Sequence, residues 1–184
     1  MTPIAGAASR RRRACLLLAA ILAAAGFSFS TNAGSCAGAP FRMAESFQAN
    51  IVECAGSHFT HYVVARGNRF RLSLEAHLNG SFWYQPVKAY FQDSKSFDGT
   101  SDWGEEQDAD RRFDYATFRG DLLNDNAGML SCVAITRHSS PYMGRGVIAQ
   151  HLVAGIYCDE SYGEATVPDA RINEIIDAIE FDFE

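Results

Sequence analysis

The side chains in this chain best able to do chemistry are four cysteines, Cys36, Cys54, Cys132 and Cys158, which follow an apolar run that holds a fifth, Cys15. Four cysteines in an exported chain predict two disulfides, with three possible connectivities. A rival use is a lipid anchor on Cys36, within Ala33-Gly34-Ser35-Cys36. That use leaves an odd thiol, and a bacterial lipobox usually carries Leu where this chain has Ala33. For the pairing, MLSCVAITRH (129–138) and VIAQHLVAGIYC (147–158) read as two apolar, β-branched strands. With a reversal centred on Arg145, between Gly144 and Gly146, Cys132 falls opposite Cys158, although Pro141 interrupts the ladder. Cys36–Cys54 is then the second bridge.

Histidines offer less. Cys54, His58 and His61 have the i, i+4, i+7 spacing of a soft-metal site on a helix, but Gly56 and the β-rich run FTHYVV end any helix there, and on a strand His58 and His61 point apart. His138 and His151 lie on the two cysteine strands, yet the same register sets His138 against position 152. There is no G-x-S-x-G elbow, and a cysteine nucleophile would have to escape the disulfides. The acidic residues Asp98, Asp102, Glu105, Glu106, Asp108 and Asp110 match no EF-hand spacing and read as a solvated loop, with Trp103 folding back on the core. Arg119-Gly120-Asp121 resembles an adhesion tripeptide but serves to close a strand, and Asn79-Gly80-Ser81, formally a glycosylation sequon, is explained by a turn. No cofactor or metal is expected.

One constellation has the composition of a binding surface. RFRLSLEAHL (69–78) alternates strictly, and Asn79-Gly80 predicts a tight hairpin that returns SFWYQPVKAYF (81–91) antiparallel. In that register Trp83, Val87 and Ala89 face the core, and Arg69, Arg71, His77, Phe82, Tyr84 and Tyr90 gather with Lys88 on the opposite face. Aromatic rings beside arginine carry binding hot spots. Coverage of this face by a helix or by the acidic loop is the plainer alternative.

The elements that position these residues follow from periodicity and composition. Arg10 to Arg13 precede 16 apolar or small residues, Ala14–Phe29, the pattern of a cleaved secretory signal, expected to end at Ala33. A twin-arginine signal is the weaker reading. At about 1.5 Å per residue, the run falls short of the ~30 Å hydrocarbon core. Residues 34–184 then form one exported domain, with no later membrane span. Removing residues 1–33 takes four of the 16 basic residues and none of the 22 acidic ones, leaving a charge near −10 that disfavours nucleic acid and anionic lipid.

Met43, Phe47, Ile51, Cys54 and Ala55 recur at helical spacing over 42–55, ahead of Gly56. Residues 58–66 read as a strand, with Gly67-Asn68 as a turn, 111–119 as a fourth strand, and 124–128 as a turn. Residues 92–110 read as the acidic loop. Ile172, Ile175, Ile176 and Ile179 mark a second helix, with Thr166 as N-cap and Asp169 completing a capping box. The expected fold is α+β: an antiparallel sheet of five or six strands flanked by an N-terminal and a C-terminal helix. The expected function is that of a non-catalytic binding or envelope accessory module, periplasmic or secreted. Its partner would be an envelope or extracellular protein or a small ligand. A small exported hydrolase or metal-dependent enzyme is the alternative.

Overall fold

The computed structural model describes residues 36, 38–92, 100, 102–109, 113–120, 129–139 and 148–181. The signal segment, the Arg145 turn with Pro141, the 124–128 turn, Asp98, Asp110 and Asp121 lie outside them.

Two strands form the centre, β8 (Leu130–His138) and β10 (Leu152–Asp159). Neither alternates between apolar and polar residues, the mark of strands covered on both faces. All eight residues of β10 are buried, as are the first seven of β8. Around this pair runs a seven-stranded antiparallel sheet in the order β2-β3-β4-β10-β8-β7-β6. Its other strands are β2 (Asn50–Gly56), β3 (Thr60–Arg66), β4 (Phe70–His77), β6 (Gln107–Ala109) and β7 (Phe113–Gly120). Two short ribbons complete the strands: β1 (Phe41–Met43) with β11 (Ile179–Phe181), and β5 (Phe82–Trp83) with β9 (Ile148–Ala149).

Each sheet face has its own helix. On one, α2 (Asp169–Ala178) packs Ile172, Ile175 and Ile176 against Leu72, Leu74, Ile135, Val153 and Tyr157. On the other, α1 (Val87–Gln92) packs Val87 and Phe91 on a floor that includes Ala116, Ala134 and Ala154 from three adjacent strands. Small floor residues let the short helix approach closely. Gly155, in the middle of β10, leaves the room that its neighbours use. A Cβ there would lie 2.5 Å from Leu74 Cδ2, 3.1 Å from Ile135 Cγ1 and 3.1 Å from the Ser73 carbonyl oxygen.

The entry of α2 is held by Arg171. Its guanidinium lies 5.1–5.3 Å from the ring centres of Phe47, Phe70 and Tyr157, and pairs with Glu174 at 2.7 Å. Arg171 Nε–H donates to the Tyr157 hydroxyl, which in turn donates to buried Asp159. Burial, the bond to Asp159 and its charge push the Tyr157 hydroxyl well above its ordinary range, against the opposing pull of Arg171. The phenol therefore stays neutral.

Several expectations fail. The fold is mostly β, with seven strands in its main sheet rather than five or six, and it is not flanked by N- and C-terminal helices. In place of a helix over 42–55 stand β1, a three-residue 3-10 turn (Glu45–Phe47) and β2. Gln48 takes a left-handed φ of 47°, which ends the turn, and the β-branched pair Ile51-Val52 enters a bulged edge strand. The helical spacing of Met43 and Phe47 is met instead by burying both from either side of that turn.

The hairpin at Asn79-Gly80 also fails as expected. Asn79 does adopt a positive φ of 56°, but Phe82 and Trp83 pair with Ala149 and Ile148, not with β4. Pro86 cannot donate to a ladder, and its fixed φ suits a helix start, so the chain turns into α1. The place beside β4 goes to β10, whose eight buried residues offer far more apolar area. The acidic loop is likewise shorter than 92–110, because 107–109 forms the edge strand β6. The isoleucine stripe does form α2, but Pro168 precedes it, no side chain caps it, and the chain runs straight on into β11.

Two disulfides are present, Cys36–Cys54 and Cys132–Cys158. A sulfur in a disulfide carries no lipid. Cys132 and Cys158 are direct cross-strand partners with Cα atoms 4.1 Å apart, in a register in which His138 faces Leu152. Their loop closure restricts the unfolded chain by about 3.5 kcal/mol. Cys132→Ala with Cys158→Ala is expected to lower the chemical-denaturation stability by about that amount, and Gly155→Ala by about 2 kcal/mol through overpacking.

Candidate functional site

The sheet face beneath α1 changes character along its length. Toward one end it is apolar: Phe118, Cys132, Cys158 and Leu130, with the Trp103 ring stacked on Phe118 at 4.5 Å. Toward the other end the rows turn polar. One row across the strands reads Tyr62, Glu75, Ala154, Thr136, Asp114, Asp108, and the next reads Thr60, His77, Leu152, His138. This end gathers several groups that can exchange protons.

Glu106 ties the polar end together. The Tyr84 hydroxyl donates to one of its carboxylate oxygens and the Val87 backbone N–H to the other, each at 2.7 Å. One side chain thus fixes the start of α1 and the exit from β5. The Tyr84 ring lies 5.8 Å from that of His138. Burial holds His138 below the usual imidazole range, and a hydrogen bond to the Trp83 backbone only partly offsets it. His77 approaches Glu75 at 3.3 Å and the Phe82 ring at 5.9 Å. Its hydrogen bond holds the Glu75 carboxyl below the usual range. On α1, burial and then the Glu75 charge push the Tyr90 hydroxyl up to about 12.

Among the described carboxyls, Asp114 is the one pushed strongly upward. Burial, then Glu106, then Asp108, raise its carboxyl to about 6. Directly opposite it on β8, Thr136 is 1% exposed, and its hydroxyl oxygen has no hydrogen-bond partner. Burying a hydroxyl without a partner costs about 1–3 kcal/mol.

The residues singled out from the sequence are separated by the fold. Arg69 donates to the Glu160 carbonyl, and Arg71 sits opposite Cys158, both at the end of β4 remote from this cluster. His77, Phe82 and Tyr84 do come together, but through the β5–β9 ribbon and not through a β4 hairpin. Tyr90 reaches the same face from α1. Cys54, His58 and His61 are not brought together as ligands, since Cys54 is disulfide-bonded and His61 pairs with Gly56 on β3. Among the described residues no group of three or more His, Cys, Asp or Glu could hold a metal ion. His151 Nδ1 accepts from the Asn79 N–H, which anchors the turn.

Asp114, Thr136 and Glu75 were not singled out from the sequence. A signal for the first two was there: Asp114 sits between Phe113 and Tyr115, and Thr136 interrupts the apolar run CVAI of a central strand.

At its outer rim this end carries a paired apolar exposure, whereas Phe59, 64% exposed, stands elsewhere in the turn between β2 and β3. Trp83 and Ile148 are direct partners on the β5–β9 ribbon and are 60% and 41% exposed. Comparison with protein-family models, curated proteins and solved structures finds no match to this chain.

Asp114 makes its own stability prediction. Its folded pKa of about 6 lies above the ordinary 3.8, so it destabilises the fold above pH 6 and ceases to do so as pH falls toward 4. Asp114→Asn is expected to raise Tm by about 3 °C at pH 7.5, with the gain gone at pH 4. Thermal unfolding of both proteins at the two pH values is the check.

Proposed function

We propose that this chain is an exported, non-catalytic binding or accessory module, periplasmic or secreted, that holds an envelope or extracellular protein partner at the β5–β9 end of its sheet. Two disulfides fit a protein of an oxidising compartment. Among the described residues no helix is long and apolar enough to cross a membrane. The observation that carries the binding reading is the Trp83–Ile148 pair, a large ring and a β-branched side chain standing together in solvent on a ribbon fixed from below. Exposed aromatic side chains on rigid supports lose little entropy on binding and dominate interface energetics. His77, Phe82 and Tyr84 lie behind them, as supports more than as contact surface.

A hydrolase reading is the alternative, favoured by the Asp114 carboxyl, which burial and its acidic neighbours push up to about 6 beside the Tyr84–Glu106 pair. The two readings make different demands on Trp83. Trp83→Ala combined with Ile148→Ser is expected to leave the far-UV circular dichroism and the cooperative thermal unfolding unchanged and to weaken partner capture at least about tenfold. Capture from the native compartment by the tagged wild type, lost in the double variant, is the measurement. Equal capture by both proteins contradicts the ribbon as a binding surface.

A further inference from the structure

Asp114 is a half-buried carboxyl on a central face of the sheet, and no cation pairs with it among the described residues. Glu106, one of its two acidic neighbours, has each oxygen engaged by a protein donor, Tyr84 or Val87. The other, Asp108, stands directly opposite Asp114 on the exposed edge strand β6. Beside Asp114 lies a second anomaly, independent of charge. The Thr136 hydroxyl, buried on the same face and directly opposite, has no partner. A lone carboxylate pressed by two others, and an unused hydroxyl oxygen next to it, both lack the same thing: a positively charged donor of several hydrogen bonds.

A hard metal ion does not fit. It asks for about six oxygen ligands, whereas two of those nearest are already committed through Glu106, and no metal-holding group occurs among the described residues. A primary ammonium does fit. It brings one charge and three N–H donors on a compact head, and charge-assisted bonds to carboxylate are the strongest available to it. The acidic chain, net −6, favours the approach of such a group.

We propose that Asp114, with Thr136 beside it and Glu106 and Asp108 around it, forms a site for a primary ammonium group, carried either by a small free amine or by a lysine side chain of a polypeptide. The site is separate from the Trp83–Ile148 ribbon and does not depend on that ribbon's role. Bound ammonium favours the ionised form of Asp114, so binding and deprotonation are coupled. The other titratable groups on this face include Tyr62 on β3, Glu75 and His77 on β4, His138 on β8, Tyr84 after β5 and Tyr90 on α1.

The test is calorimetric titration of the full chain, disulfides intact, with three probes: 1,5-diaminopentane, Nα-acetyl-lysine amide, and the same lysine derivative acetylated at Nε. A pentapeptide, acetyl-Gly-Gly-Lys-Gly-Gly-amide, is the fourth. Saturable binding of the ammonium probes is expected, with none for the Nε-acetylated one. Binding should weaken about tenfold from pH 7.5 to pH 5.0, as Asp114 takes up its proton. Asp114→Asn is expected to weaken it at least about tenfold, Thr136→Val severalfold, and Trp83→Ala not at all. Tighter binding of the pentapeptide than of diaminopentane assigns the site to lysine side chains, and the reverse to free amines. Equal binding of the Nε-acetylated probe, unchanged affinity in Asp114→Asn, or no saturation by about 10 mM amine overturns the proposal.

Discussion

Burial of β8 and β10 on both faces is the constraint from which the rest of the architecture follows. A strand pair with apolar side chains on each side has to be covered twice, and the described residues offer only two short α-helices for the task. α2 covers one face with three isoleucines. α1, with six residues, can cover only part of the other, and it does so by sinking onto alanines at 116, 134 and 154. Where its cover ends, the same face turns polar. The candidate site is therefore not an ornament on the sheet. It is the part of a doubly covered face where the short helix begins and polar side chains complete the cover.

The polar end carries a local cost. Glu106 is held by two good hydrogen bonds and contributes to order, since it caps α1 and fixes Tyr84. The same carboxylate, with Asp108, raises the Asp114 carboxyl. Three acids near an unpartnered threonine are not what packing alone would select, because the Asp114 carboxylate and the Thr136 hydroxyl are each buried at a cost. Such local conflict, inside a structure whose other levels agree, is the usual physical mark of a site under a functional demand. The opposite face shows the contrast: there Arg171 is boxed by three rings and paired with Glu174, and Asp159 is satisfied by Tyr157 and Ser161.

What could be read from the sequence was local or tied to a single register. The strict alternation of Phe70 to Leu78 gave β4 its faces, and the isoleucine repeat gave α2 its buried stripe. Two errors had a common cause. The 42–55 repeat and the 81–91 strand were both argued from signals within the segment, while the outcome was decided by competition between distant segments. β10 displaced 81–91 from the edge of β4 because it buries eight residues there, and Ile51–Gly56 paired with β3 rather than continuing a helix. The site suffered most. Asp114, Thr136 and Glu75 are far apart in sequence and meet only through the order β4-β10-β8-β7, which no periodicity reveals. The pattern of the sequence makes His77, Phe82 and Tyr84 neighbours through a hairpin that does not form, and a different ribbon brings them together.

Native-state hydrogen exchange of the disulfide-intact protein tests the central constraint most directly. If β8 and β10 are the doubly covered heart of the fold, the amides of 131–137 and 153–158 exchange only through global unfolding. Those of the exposed edge strand β2 exchange at least about a hundredfold faster, through local opening. Protection in β2 equal to that in β10, or exchange of β8 amides ahead of those in β3, would contradict the account.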